Sequence, residues 1–266
     1  MQNKRHKNYN CIIGATLTGF ILILILLGCV ASPYEPSSMD AANKLADISL
    51  QHPMGCDNFG RDIFSRVLQG SRTTLFVAAG TVLIGTTLGI ILGAVTGYYG
   101  GWLDEILMHI NDAVFAFPSI LLALVFVSVM GTGTYHVMIA LGIAFVPSFA
   151  RIVRGEFIRC KNMDYVKQAK LMGASDLRIM FVHILPNTGT VLASSVMIGF
   201  NNAVLAEAGM SYLGIGVQPP DASLGRMLSE AQAYLFSRPS YAISVGLIMV
   251  MMILGFSLLG EGLKTE

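Results

Sequence analysis

Tyr165-Val166-Lys167-Gln168-Ala169-Lys170-Leu171-Met172-Gly173-Ala174-Ser175-Asp176-Leu177-Arg178-Ile179-Met180-Phe181-Val182-His183-Ile184-Leu185-Pro186 is a polar, helix-forming insert in a chain that is otherwise largely apolar. Asp164 stands where it would cap a helix running to Met172. Gly173 supplies the left-handed stop that ends many helices. Ser175 or Asp176 then caps a second helix running toward Pro186. The stretch reads as helix, sharp turn, helix, with a small elbow at Gly173-Ala174-Ser175. On the first helix Val166, Ala169 and Lys170 share one face, with Tyr165 and Met172 beside it. Such an elbow either packs on its own chain or fits a groove on a partner, and spacing alone leaves the two readings even.

The surroundings of the insert are membrane-like. Of 266 residues, 54% are hydrophobic and 12% charged, against about 25% charged in soluble domains. One apolar run fits a core helix, but several runs of about 20 residues do not. Six such runs can be placed, at 11–31, 74–98, 113–131, 134–153, 188–208 and 240–260. The fold class expected is an all-α polytopic membrane protein with six transmembrane helices. Its parts are a cytoplasmic N-terminus (1–10), a first transmembrane helix (11–31), an extracytoplasmic segment (32–72), a five-helix core (73–260) holding a cytoplasmic loop (155–187), and a cytoplasmic C-terminus (261–266). Orientation follows the basic residues. Lys4, Arg5, Lys7, Arg151, Arg154, Arg159, Lys161, Lys167, Lys170, Arg178 and Lys264 fall on one side, which is then cytoplasmic. Lys44, Arg61, Arg66, Arg72, Arg226 and Arg238 fall on the other. The 98–113 turn carries Asp104 and Glu105 but no Lys or Arg, and is silent. A net charge of +1 gives no reason to expect a nucleic-acid partner. Leu26-Leu27-Gly28-Cys29 after a basic start has the pattern of a bacterial lipoprotein cleavage box, but the spans that follow argue for an uncleaved first helix.

Within the spans, Gly85, Gly89, Gly93 and Gly97 recur every fourth residue. On a helix they form one stripe, which lets a second backbone approach closely in lipid. The partner is a helix of this chain or of another. Glu207, near the outer end of the fifth span, is the clearest intramembrane acid. A carboxylate there must be paired, neutral or in contact with water. It reads either as a pathway or gate residue, with Asn202 and Asn201 a turn or two before it, or as an acid holding the 208–218 turn. Asp112 reads as the N-cap of the third span. The cysteines Cys11, Cys29, Cys56 and Cys160 form no CxxC pair. His6, His52, His109, His136 and His183 are scattered singly, so no metal site is expected. Met249, Met251 and Met252 read as core filler. Neither a His-Glu-x-x-His nor a Gly-x-Ser-x-Gly arrangement is present, and no Gly-x-x-x-x-Gly-Lys-Ser/Thr loop occurs. The chain is therefore expected to be neither a membrane enzyme nor an ATPase.

The elbow resembles a loop carried by the inner-membrane permeases of ABC importers. That loop reads Glu-Ala-Ala, three residues, Gly, nine residues, Ile, one residue, Leu-Pro. Lys167-Gln168-Ala169, Gly173, His183 and Leu185-Pro186 fall on those positions. Lys167, Gln168 and His183 depart from the pattern, although His before x-Leu-Pro is usual in the peptide and nickel branch. Residues 52–66, from His52-Pro53-Met54-Gly55-Cys56-Asp57 through Gly60-Arg61-Asp62 to Ser65-Arg66, resemble a signature of that same branch. So do residues 207–220, from Glu207 through Ser211-Tyr212-Leu213-Gly214-Ile215-Gly216 to Pro220, with Leu224 where a Trp is usual before Gly225. The resemblance spans about 30–265 and implies a type I importer permease of the "C" type. It implies a dipeptide or oligopeptide substrate, with nickel as the alternative and a passive channel as a remote one. It further implies a second permease subunit, two cytosolic ATP-binding subunits that hold ATP and magnesium, an extracytoplasmic binding protein, and a multi-pass place among the lipids of a bacterial cytoplasmic membrane. No cofactor is expected in this chain. The ATPase-coupling contacts implied are Ala169, Leu171, Met172, Gly173, Ala174, Ser175 and Asp176.

Overall fold

The computed structural model describes the backbone of residues 2–263 and the side chains of residues 10–262. The side chains of Lys4, Arg5, Lys7 and Lys264, expected on the cytoplasmic side, lie outside the described residues. The helices are α1 Gln2–Val30, α2 Ile63–Tyr99, α3 Gly101–Phe115, α4 Ser119–Met130, α5 Thr134–Cys160, α6 Asp164–Leu171, α7 Asp176–Arg178, α8 Gly189–Tyr212, α9 Leu224–Gln232 and α10 Pro239–Leu263. Among the described residues the only β pairing is an isolated bridge, Cys56 to Asp62.

Five helices are long and apolar enough to cross a membrane, or six units if one bent pair counts as a span. That pair corrects the third span expected at 113–131. Helices α3 and α4 meet at 88° across Ala116-Phe117-Pro118. Pro118 lacks an amide hydrogen and disfavours helix in the residue before it, so the chain turns there. At about 1.5 Å per residue, α4 is roughly 18 Å long, short of a hydrocarbon core of about 30 Å. The 98–113 stretch expected as a turn is mostly the helix α3. Asp112 accordingly does not cap a span. It lies in the last turn of α3 and takes a 2.7 Å bond from the Arg151 guanidinium, which also stacks over Phe115. One turn on, Arg154 grips Asp104 with two bonds of 2.6 and 2.7 Å, so α3 is pinned to α5 twice.

Helix α2 begins at Ile63, inside the segment expected to be extracytoplasmic from 32 to 72. Asp62 starts it by accepting the Ser65 amide hydrogen at 2.7 Å. The helix is about 55 Å long, so its first turns stand clear of the hydrocarbon. Arg66 there is held by a partner from elsewhere in the chain. Arg66 is fully buried and donates to Glu230 of α9 at 3.1 Å. Arg61 bonds Asp57 at 2.6 Å and the same Glu230 at 3.0 Å, and His52 meets Asp62 at 2.9 Å. Three carboxylates and two guanidiniums thus lock the 52–66 stretch onto α9. Cys56 is sealed beneath this cap; burial, with Asp62, Asp57 and Asp40 near, pushes its thiol up to about 11, so it stays protonated at neutral pH.

Helices α2 and α5 run side by side in the same direction. Each glycine of the stripe meets the side chain sixty positions later: Gly85 meets Phe145, Gly89 meets Phe149, Gly93 meets Val153 and Gly97 meets Phe157. A constant offset over four turns means near-parallel axes, and the neighbour is in this chain. Helix α1 lies on α10, where Gly14 and Gly255 let the backbones touch, and reaches α2 where Gly28 seats Leu68. The Leu26–Cys29 stretch lies within the continuous helix α1.

Candidate functional site

The elbow is built largely as its sequence predicts. Gly173 has φ +78. The Gly173 amide donates to Lys170 O and the Ala174 amide to Ala169 O, both at 3.0 Å. The start differs. Met163 occupies the cap position of α6, while Asp164 is its first residue and pairs with Lys167 at 3.0 Å.

The elbow's two faces part company. Val166, with Tyr165, Ala169 and Ala174, packs inward on a second small core of Ala94, Tyr98, Val153, Phe157, Ile179 and Met180. Leu171, Met172 and Leu177 point outward at 89%, 87% and 65% exposure. Of the seven residues expected at a partner, Ala169 and Ala174 therefore turn toward their own chain. Ser175 and Gly173 stay exposed, and Leu177, absent from that set, joins the outer face. Its position one turn after the glycine was the available signal.

Asp176 is tied back to the membrane helices. It accepts a 2.6 Å bond from the Tyr98 hydroxyl at the end of α2, and Lys170 Nζ sits 5.6 Å from that ring's centre. A hydrogen bond to a charged acceptor contributes about 1.5–3 kcal/mol net. Tyr98→Phe keeps the ring and loses only the hydroxyl. Amide exchange across 170–178 should then speed up about tenfold, as that energy implies, with helix content unchanged. Asp176→Asn, which retains an acceptor, should fall between. Unaltered exchange in Tyr98→Phe would show that the bond restrains nothing.

Beyond the elbow the chain never leaves helical geometry. One α turn (α7) passes into a π-helical stretch, Ile179–Ile184, then a 3-10 turn, Leu185–Thr188, and then α8. Residues 176–212 thus form a single span-length shaft. Its middle forms one wall of a cavity of about 390 Å³ between α4, α5 and α8. The polar groups in that lining are Ser119, Ser148, Ser195 and Asn202, set among Ile120, Phe149, Ile198 and other apolar side chains. No charged side chain lines it.

Glu207, near the far end of the shaft, does not line the cavity. It is fully buried and accepts the Thr74 hydroxyl of α2 at 2.9 Å and the Ser211 hydroxyl at 2.6 Å. Ser211 Oγ in turn accepts the Val217 amide at 3.0 Å, and Thr74 Oγ1 accepts the Leu224 amide at 3.2 Å. This places Glu207 at a knot joining α2, α8 and the start of α9. Asn202 is exposed on the cavity side, so the two residues face different surroundings. Asn201 lies with Ser257 and Glu261 in a separate cleft of about 100 Å³. Among the described residues no group of three or more His, Cys, Asp or Glu is arranged to hold a metal ion.

Residues 85–264 match the profile of the family described as "Binding-protein-dependent transport system inner membrane component". The chain belongs to that family. This permease is 39% identical to the "Glutathione transport system permease protein GsiD" of Pectobacterium atrosepticum over 249 residues, 92% of this chain and 83% of that one. It is 37% identical to the "Dipeptide transport system permease protein DppC" of Alkalihalophilus pseudofirmus over 263 residues, 97% and 85% of the two chains. Its fold is similar to a chain of the MetNI methionine ABC transporter in an inward-facing conformation. The TM-score is 0.63 at 17% identity, over 73% of this chain and 93% of that one. The protein is a permease subunit of an ABC importer. The family match covers the glycine stripe, the elbow, the cavity wall and Glu207, whereas the 52–66 cap lies before it.

Proposed function

We propose that this permease moves di- or oligopeptides across a bacterial cytoplasmic membrane as one of two permease subunits. Two cytosolic ATP-binding subunits holding ATP and magnesium, and an extracytoplasmic binding protein, complete the assembly. The observation that carries the reading is the unbroken 176–212 shaft, with the apolar elbow at one end and the cavity wall along its middle. An ATPase that grips Leu171, Met172 and Leu177 more tightly in one nucleotide state than in another thereby biases the position of α8. Without that difference in affinity nothing would be coupled.

The lining supports the substrate class. Three hydroxyls and one amide on an apolar wall suit the neutral amides of a peptide backbone and make no charge demand on its side chains. The peptide and glutathione permeases among its relatives agree with this. A nickel path would call for imidazole, thiolate or carboxylate ligands, and the lining offers none of these. A passive channel would leave the elbow without a task.

The test is uptake by the purified complex in proteoliposomes. Labelled dialanine should accumulate only with ATP inside the nucleotide-accessible compartment and the binding protein outside. ATP-dependent accumulation of radioactive nickel in its place, or solute flux without ATP, would overturn the proposal.

A further inference from the structure

A second cavity, of about 690 Å³, opens at the other end of the α2–α5 pair, away from the route from elbow to α8. Its lining is ordered along α2. Gln69, Arg72 and Thr73 come first, Leu75 and Phe76 a turn later, and Ala79 after that. Leu83, 69% exposed, continues the line. Polar surface thus gives way to apolar surface within about 15 Å of helix, the scale on which a lipid head group gives way to its chains. Phe76 and Tyr135 meet edge to face at 5.9 Å where the change occurs, as aromatic residues do at the membrane interface.

The polar end is unsatisfied. Arg61, Arg66, Arg226 and Arg238, on the same side, all pair with carboxylates. The Arg72 side chain has no ion pair or hydrogen bond among the described residues, and neither does the Asp221 side chain across the cavity. The side-chain oxygen of Gln69 is buried with no donor, although its backbone oxygen is taken by Thr73. The cavity therefore presents one free cation and one free carboxylate above an apolar slope.

We propose that this groove binds a phospholipid whose head group carries both a phosphate and a primary ammonium. The phosphate faces Arg72. The ammonium faces Asp221, and an acyl chain lies along Phe76, Ala79 and Leu83. An anionic lipid with an uncharged head group would meet the Asp221 carboxylate unpaired. A short peptide would satisfy the charges but leave the apolar slope bare. The proposal does not rest on the identity of the transported solute.

Native mass spectrometry of the intact complex, loaded with equal amounts of phosphatidylethanolamine and phosphatidylglycerol, tests it. The wild type should retain phosphatidylethanolamine over phosphatidylglycerol by about fivefold, the ratio that one charge at the membrane surface supports. Arg72→Gln should lose most of the bound lipid, and Arg72→Lys should keep it. Asp221→Asn should turn the preference toward phosphatidylglycerol. Both side chains are exposed, so elution of the variants should match the wild type. Equal retention of the two lipids by the wild type, or an unchanged ratio in Asp221→Asn, would overturn the assignment. So would displacement of the lipid by excess dialanine, which would give the groove to the solute instead.

Discussion

Replacing Gly93 with leucine should leave the chain inserted but largely unable to fold. A Cβ at this position would lie 2.7 Å from Val153 Cβ and 2.8 Å from the Arg154 amide nitrogen, and would also strike the Ala150 carbonyl. Two of these three atoms are backbone of α5, which has no rotamer to change, so α2 and α5 must move apart. That separation disturbs contacts along the whole stripe, because close approach is what holds helices together in lipid. Overpacking a tight site costs about 1–3 kcal/mol, and about 1.4 kcal/mol is already a tenfold shift. The yield of monodisperse protein by fluorescence-detected size exclusion should fall at least about tenfold on that arithmetic. Gly85 is the built-in comparison. Its added Cβ would meet Phe145, Gly142 and Phe149 at 3.1–3.3 Å, so shifts of a few tenths of an ångström would make room. Gly85→Ala should stay within about fivefold of wild type, the factor that the small end of the same overpacking range implies. Wild-type yield in Gly93→Leu would mean that α2 and α5 do not pack as described.

The stripe also shows what could be read before folding and what could not. A repeat of four glycines announces a helix face, because periodicity is local information. The identity of the opposing helix is not local, and only the sixty-residue offset reveals it. The same division explains α2. Ser65, Arg66, Gln69, Ser71 and Arg72 make its first turns look like a surface loop. They form a helix in which Arg66 is neutralised by Asp57 and by Glu230, the latter distant in sequence. The break in the expected third span has a related cause. The stretch is highly apolar throughout, but Pro118 by itself signals the break between α3 and α4.

The candidate site was legible in its local geometry and opaque in its contacts. Gly173 declared the turn. Which of Ala169, Leu171, Met172 and Ala174 would face outward depended on where α2 and α5 lay beneath. Tyr98, which holds Asp176, carried no sequence signal beyond its place at a helix end. Ser119, Ser148 and Ser195 were invisible as cavity residues, since a serine in an apolar helix is common and says nothing of the face it will line.

Gly173→Val should abolish transport while sparing insertion and folded yield. No atom lies within 4 Å of the position where a Cβ would be added. The substitution therefore creates no clash and removes no packing, which makes its effect unusually simple to read. The cost is confined to the backbone. At φ +78 a β-branched residue is disfavoured by about 1–3 kcal/mol, and the cheapest relief is to unwind the turn between α6 and α7. Leu171 and Met172 would then no longer be presented beside Leu177, and a partner that recognises all three loses its grip. Uptake should fall at least about tenfold on the same energy scale, while ATP hydrolysis by the assembled complex continues without transport. Asparagine adopts left-handed geometry far more readily than valine, so Gly173→Asn should keep half or more of the uptake. The contrast matters because the two variants have side chains of similar volume, both directed into open space. If bulk were the cause, both would fail; if conformation is the cause, only valine does. Normal uptake in Gly173→Val would remove the elbow from the coupling route, and the 176–212 shaft would have to be driven from some other contact.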